Sequence, residues 1–174
     1  MWTSWKFWAV WVIVIGLIIL LAFGFTSDPK KVPSPLMGRP APDFQVDELN
    51  GKQKFSLSEF KGKPVILNFW ASWCAECRTE AIILENFYKK YGKKLAIIGI
   101  AIQDSPQKAK TFARHFSKTY LLALDDLSGN IALDYGIYGV PETFFIDPKG
   151  NIFHKTIGEV STELLEKKFK PFMQ

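Results

Sequence analysis

The chain has 174 residues, with 22 Lys and Arg against 17 Asp and Glu, a formal charge of +5 and only two cysteines. That length suits one domain with an appendage. The basic residues are scattered rather than gathered into a stripe interleaved with aromatics, which leaves nucleic-acid binding unsupported and reads as a solvated surface, with attraction to anionic lipid headgroups as the lesser alternative.

The appendage comes first. Phe7 to Phe25 reads FWAVWVIVIGLIILLAFGF, without a charge or a strong helix breaker. As a helix this run is long enough to span the hydrocarbon core of a bilayer. Trp2, Trp5, Trp8 and Trp11 crowd its N-terminal end, where amphipathic rings favour the membrane interface. A cleaved signal peptide would have a shorter apolar stretch and a small-residue cleavage site, of which Ala22-x-Gly24 is a poor version. A buried core helix fits less well still, since a helix apolar all round belongs in the core of a large protein or in a membrane. The run therefore reads as an uncleaved single-pass anchor within residues 1–27. Lys6 lies on one side and Lys30, Lys31 and Arg39 on the other, so basic-residue counting alone does not orient it.

Residues 28–42 are rich in proline and read as an extended tether. Residues 43–174 are enough for one proper core. Asn50-Gly51 between Asp43–Val46 and Lys54-Phe55 predicts a hairpin, and Leu57 to Phe60 a short helical turn. Val65 to Trp70 is a nearly continuous apolar run, as expected of a central strand covered on both faces. Cys77, Ala81, Leu84, Tyr88 and Tyr91 then recur at helical spacing, with Gly92 as the stop. Leu95 to Ile102 predicts a second buried strand. Ser105-Pro106 starts a helix whose apolar face is Ala109, Phe112, Ala113 and Phe116. Tyr120 to Leu124 predicts a strand, Leu127 to Tyr135 a helix, and Thr143 to Ile146 a strand turning at Pro148–Asn151 into an antiparallel partner, Ile152 to Lys155. Ser161 or Thr162 caps a last helix. Strands alternating with helices imply an α/β fold, and the closing hairpin makes its central sheet mixed.

The two cysteines, Cys74 and Cys77, lie between the first buried strand and the helix that follows. Unpaired amides at a helix start favour a thiolate, which is the nucleophile of disulfide exchange. A second thiol one turn further on can then attack a mixed disulfide on the first. Three other readings stand beside redox exchange. A structural disulfide over so short a loop would stabilise little. A zinc site would need more soft ligands than His115 and His154 offer. Copper delivery suits soft sulfur, although Met37 and Met173 are poorly placed to help.

Phe69-Trp70-Ala71-Ser72-Trp73-Cys74-x-x-Cys77 resembles the thioredoxin active site, and Gly139-Val140-Pro141 resembles the loop in which that family carries a cis-proline facing the cysteines. More narrowly, Ser34 to Phe44 (SPLMGRPAPDF), Cys77-Arg78-Thr79-Glu80 and Tyr135 to Asp147 (YGIYGVPETFFID) resemble the membrane-tethered DsbE/CcmG proteins of cytochrome c maturation. The resemblance covers about Ser34 to Gln174. It implies a thioredoxin-like domain behind an N-terminal single-pass helix, anchored in the inner membrane and facing the periplasm. It implies a thiol–disulfide oxidoreductase with no cofactor or metal beyond the redox-active Cys74–Cys77 pair. It also implies that the protein keeps the haem-binding cysteines of apocytochrome c, or a maturation partner, reduced, and draws electrons from a membrane donor of the DsbD/CcdA type. A general envelope disulfide reductase and a copper chaperone for oxidase assembly are the alternatives. Ala75-Glu76 departs from the family, whose members often have proline between the cysteines.

Asn68 stands where thioredoxins keep a buried aspartate, and an amide cannot accept the resolving thiol's proton. Glu80, one turn beyond Cys77, and Glu142, directly after Pro141, match acidic positions of the DsbE/CcmG pattern and are candidates to replace that acid. Glu76, Glu80 and Glu142 would all disfavour a thiolate, which argues for a reductant. Trp73 and the Val140 backbone are candidate contacts for an extended substrate peptide pairing as an added strand; Trp70 is assigned to the core.

Overall fold

Helix α1 spans Thr3–Gly24, and its stretch Trp5–Phe23 is long and apolar enough to cross a membrane. The computed structural model describes residues 3–24, 34–51, 53–125 and 129–172, so Trp2 lies outside the described residues. Almost all described side chains of α1 are exposed, and its sequence carries no polar stripe. The chain divides into a unit before Ser34 and a second unit from Ser34 onward.

The second unit begins with a hairpin, β1 (Gln45–Asp47) and β2 (Lys54–Ser56), paired antiparallel around the Asn50-Gly51 turn. Gly51 has φ +69°, a conformation that favours glycine. A 3₁₀ turn, Leu57–Phe60, follows. The main sheet contains β3 (Val65–Trp70), β4 (Ala96–Ala101), β5 (Leu121–Leu124), β6 (Glu142–Ile146) and β7 (Ile152–Ile157). Their order is β5-β4-β3-β6-β7. β3 and β5 each run parallel to β4, whereas β6 runs antiparallel to both β3 and β7. All six residues of β3 are buried, which explains its continuous apolar run at the centre of the sheet.

Helices α2 (Glu76–Tyr91), α3 (Pro106–His115) and α5 (Thr162–Phe169) cover one face. Ile66, Trp70, Ala81, Leu84, Phe112 and Phe169 form part of that core layer, which also contains both cysteines. The hairpin and α4 (Asn130–Asp134) supply the other layer, around Leu67, Phe69, Tyr135 and Phe144. Ser105 caps α3, its hydroxyl accepting from Lys108 N at 3.3 Å, with Pro106 in the first turn. Ser161, rather than Thr162, caps α5, accepting from Leu164 N at 3.2 Å.

Three expectations change. The helix expected over Leu127–Tyr135 is confined to Asn130–Asp134, behind Gly129 at φ +64°; Leu127 and Ser128 lie outside the described residues. β7 continues past Lys155 to Ile157 because it pairs with the whole of β6, Ile157 standing opposite Glu142. The part of the proline-rich segment from Ser34 to Pro42 is not a free tether. Gly38 N donates to Ile152 O at 2.8 Å, Ile152 N to Arg39 O at 2.9 Å, and Ala41 N to Gly150 O at 2.9 Å. The Tyr135 hydroxyl donates to Pro42 O at 2.7 Å. The segment turns on itself, with Met37 N donating to Ser34 O and Arg39 N to Leu36 O at 3.1 Å, and further backbone groups have found partners beside the β6–β7 turn.

Candidate functional site

β3 ends at Trp70 and delivers the chain into the loop Ala71–Ala75. Two contacts with the loop after β4 fix its course. The Asp104 carboxylate accepts from Ser72 N at 2.6 Å and from Ser72 Oγ at 2.9 Å. The Trp73 indole donates to Gln103 O at 3.1 Å, and Gln103 has φ +48°. Trp73 stays 58% exposed, whereas Trp70 is fully buried, as the sequence assigned them.

Cys74 and Cys77 are joined in a disulfide. Ala75 occupies the N-cap of α2 and offers no side-chain acceptor. The Cys74 sulfur takes that place, accepting from Cys77 N at 3.1 Å. The helix-start amide that a Ser or Asp would ordinarily satisfy is therefore aimed at Cys74, where it favours negative charge once the disulfide opens. Cys77 is 1% exposed and Cys74 5%, so the first cysteine is the more accessible of the pair.

The Val140–Pro141 peptide is cis, and Val140 O lies 3.6 Å from Cys74 Sγ. The Tyr138 and Gly139 amides donate to Glu142 Oε1 at 3.0 and 3.3 Å. Its other oxygen lies 2.6 Å from Lys155 Nζ. Glu142 is thus committed to a buried ion pair and to the loop that carries Val140. It is not a bare acid waiting beside Cys77, and this separates it from Glu80. A groove of about 640 Å³ opens beside Cys74 and Val140, lined among others by Trp73, Gln103, Leu133, Tyr138 and Val140.

Glu80 lies one turn beyond Cys77 on the buried face of α2 and is 1% exposed. Asn68 Nδ2 donates to its Oε2 at 2.8 Å and to Thr143 Oγ1 at 3.0 Å. Val160 N donates to its Oε1 at 3.3 Å, and Thr143 Oγ1 at 3.4 Å. The register makes this possible, since Asn68 on β3 stands opposite Thr143 on β6. Burial pushes the Glu80 carboxyl up to about 7, against hydrogen bonds from Asn68 and Val160 and the charge of Lys118. A carboxyl poised near neutrality can exchange a proton at working pH. Glu76 sits in the exposed first turn of α2.

The sequence placed Cys74, Cys77, Trp73, Val140 and Pro141 around one point, and the structure brings them together there. It missed the donors Asn68 and Thr143, the Glu142–Lys155 pair and the Asp104 clamp. In the sequence Asn68 reads only as a lost acid, and strand register across β3 and β6 is what pairs it with Thr143. Among the described residues no group of three His, Cys, Asp or Glu side chains is placed to hold a metal ion.

The AhpC/TSA family model matches residues 37–155. Thiol:disulfide interchange protein DsbE of Escherichia coli K12 is 33% identical over 94% of this chain and 94% of its own. The DsbE of Vibrio cholerae is 37% identical over 85% of this chain and 79% of its own. The chain belongs to the AhpC/TSA family and, within it, to the DsbE thiol:disulfide interchange proteins. A crystal structure of a candidate DsbE from Chlorobium tepidum superposes with a TM-score of 0.72 at 28% identity, covering 79% of this chain and 98% of that one. The mixed sheet and cysteine site of this DsbE-family chain are therefore those of a thioredoxin-like thiol–disulfide oxidoreductase, and its redox group is the cysteine pair itself.

Proposed function

We propose that this protein is a membrane-tethered reductant working on the periplasmic side of the inner membrane, where it reduces the haem-binding cysteines of apocytochrome c or a thiol protein of the same maturation route. Residues 1–27 supply the anchor, and a donor of the DsbD/CcdA type returns the electrons. The DsbE relationship and the span-length helix α1 support this reading. Disulfides persist in that compartment, so a reductant there needs electrons from elsewhere.

The observation that carries the direction of electron flow is the buried Glu80 carboxyl held by Asn68, 2.8 Å away, on the helix that bears Cys77. A nearby carboxylate disfavours a thiolate, and a less stable reduced form makes the better donor. In the reduced protein the Cys74 thiolate attacks a substrate sulfur. The substrate disulfide breaks, its first sulfur leaves as a thiolate that takes a proton from solvent, and a mixed disulfide remains. Cys77 passes its proton to Glu80 and attacks Cys74 Sγ. The Cys74–Cys77 bond forms, the second substrate sulfur leaves, and the substrate has gained two electrons. The groove beside Trp73 and Val140 receives the peptide, with Val140 backbone as its strand-like contact.

The test uses the full chain in detergent with an apocytochrome peptide disulfide. A Cys77→Ala variant should accumulate a mixed disulfide through Cys74, and Cys74→Ser should abolish reduction. Equilibration with glutathione should give a reducing potential; a strongly oxidising one overturns the direction. Copper binding at stoichiometric affinity without peptide reduction would favour the chaperone reading instead.

A further inference from the structure

Lys118 lies in the turn between α3 and β5, outside every motif of the sequence, yet its ammonium is turned inward. Its Nζ is 3.8 Å from the centroid of the Trp70 ring, 5.3 Å from that of Phe112 and 5.4 Å from that of Tyr120. All three rings belong to the core layer that holds Cys74 and Cys77. The placement is built rather than incidental. Ser117 adopts φ +50°, an uncommon conformation for a residue other than glycine. Lys118 N donates to Ala113 O at 2.9 Å. Thr119 is tied down by its N and Oγ1, which donate to Glu85 at 2.8 and 2.7 Å. On β4, Gly99 leaves room for the cage: a Cβ there would meet Leu122 Cδ2 at 2.7 Å, Trp70 Nε1 at 3.0 Å and Tyr120 Cε2 at 3.2 Å.

Among the described residues no carboxylate lies within 4.0 Å of Lys118 Nζ, and no cation lies within that distance of Glu80. The other buried acid of α2, Glu85, is engaged by Thr119 and by Lys89 at 3.5 Å. One core layer thus holds a caged ammonium without a direct anion and a buried carboxyl without a direct cation. Aromatic faces stabilise an ammonium but do not neutralise it. We propose that Lys118 is a positioning residue of the redox site, its caged ammonium holding Glu80 in the carboxylate form that receives the Cys77 proton. This rests on the reading of Glu80 given above.

The electrostatics agree with that geometry. Burial pushes the Lys118 ammonium down to about 7, while Glu80 and then Glu85 pull it back up. Lys118 in turn lowers the Glu80 carboxyl. The other groups around the two are Lys89 on α2, Tyr120 just before β5, and Lys110 and Arg114, which share with Lys118 a cavity of about 360 Å³. That cavity gives the half-buried Lys118 side chain a route to water. During turnover the proton moves from Cys77 to Glu80, so the negative charge facing Lys118 passes from carboxylate to thiolate and its amount is unchanged. When the new disulfide forms, that charge leaves with the substrate thiolate. Glu80 then returns its proton to solvent, favoured by the cation.

The test is single-turnover reduction of a peptide disulfide by the full chain in detergent, followed against pH. In Lys118→Met the acid limb should move to higher pH by at least about half a unit, since an opposite charge has been removed from near the carboxyl. Lys118→Arg, which keeps the charge, should move it less. In a Glu80→Gln background, Lys118→Met should produce no shift. A Lys118→Met profile that superimposes on the parent overturns the proposal. If Glu80→Gln alone leaves the profile unchanged, the acceptor reading has failed, and the Lys118–Glu80 coupling is then read separately. Carbon-13 titration of the Lys118 Cε, which does not require the Lys118 variant to fold, should show a lower midpoint in Glu80→Gln than in the parent. An unchanged midpoint overturns the coupling.

Discussion

Asn68 Nδ2 lies 2.8 Å from Oε2 of Glu80, so an amide on β3 donates to the carboxyl on α2 that follows the resolving cysteine by one turn. The acid beneath the site has in effect moved from strand to helix, and the strand has kept a donor that steadies it. This arrangement differs chemically from a strand acid. The amide stays neutral at every pH, so Glu80 titrates against one fixed dipole, together with the amide of Val160 and the Thr143 hydroxyl.

Replacing Asn68 by Asp should therefore disturb the site more than its size suggests. Two buried carboxyls in hydrogen-bond contact cannot both ionise cheaply, and their titration becomes that of a pair. The acid limb of the reduction rate should move to higher pH by about one unit or more, while activity above that limb is kept. Single-turnover kinetics between pH 5 and 9 would measure this. A limb that stays in place would mean that Glu80 does not take part in the rate-limiting proton transfer.

Stability should depend on pH in a way that follows from the same charges. Glu80 is raised from 4.5 to about 7, so its contribution is full below the unfolded value and is lost as pH rises through the folded one. The loss is on the order of 3 kcal/mol. Lys118 is lowered from 10.5 to about 7, so its contribution is present above the unfolded value and is lost as pH falls through the folded one. The two slopes meet, and the thermal midpoint of the full chain in detergent should pass through a local minimum near pH 7. Glu80→Gln should flatten the acid side of that dip. A parent midpoint that rises steadily from pH 5 to 7 would contradict the assignment.

The sequence made some of this legible and concealed the rest for physical reasons. Cys74, Cys77 and Pro141 announce themselves because their chemistry depends on residue type at short spacing. The β3 run is readable because a strand buried on both faces has no polar alternation to hide it. Glu80 is legible from its motif position, but its burial is not, since α2 also carries exposed charges nearby at Arg78 and, one turn back, at Glu76. Lys118 carried no signal, because only the fold brings the α3–β5 turn over Trp70. The Ser34–Pro42 segment reads as a tether because the partners that tie it down, Tyr135, Gly150 and Ile152, lie far along the chain.

The Glu142–Lys155 pair, 2.6 Å apart with side chains only 1% and 9% exposed, should be costly to break from one side. Lys155→Met leaves a buried carboxylate with only the Tyr138 and Gly139 amides as partners, a loss of about 3 kcal/mol. The double variant Lys155→Met, Glu142→Gln should recover much of it, because no bare charge remains. Denaturant unfolding of the two variants and the parent would show this. A double variant no more stable than the single one would show that the pair is not what holds the Val140–Pro141 loop.

Asp104 should matter for rate more than for stability. Its carboxylate accepts from Ser72 N at 2.6 Å and from Ser72 Oγ at 2.9 Å, and it also accepts from Ser105 N at 2.8 Å. It thereby joins the loop after β4 to the loop that presents Cys74. In Asp104→Ala these donors turn to water, at a cost of about 1–2 kcal/mol for a partly exposed site. The larger consequence is positional. Trp73 and Cys74 follow Ser72 directly, and a nucleophile displaced by a fraction of an ångström loses part of its alignment with the substrate disulfide. The expected result is roughly a tenfold fall in the rate of peptide disulfide reduction, with changed Trp73 fluorescence and a thermal midpoint only a few degrees lower. Asp104→Asn, which keeps one acceptor oxygen, should fall between parent and alanine. If the alanine variant reduced peptide at the parental rate, the Ser72 clamp would be a matter of fold alone.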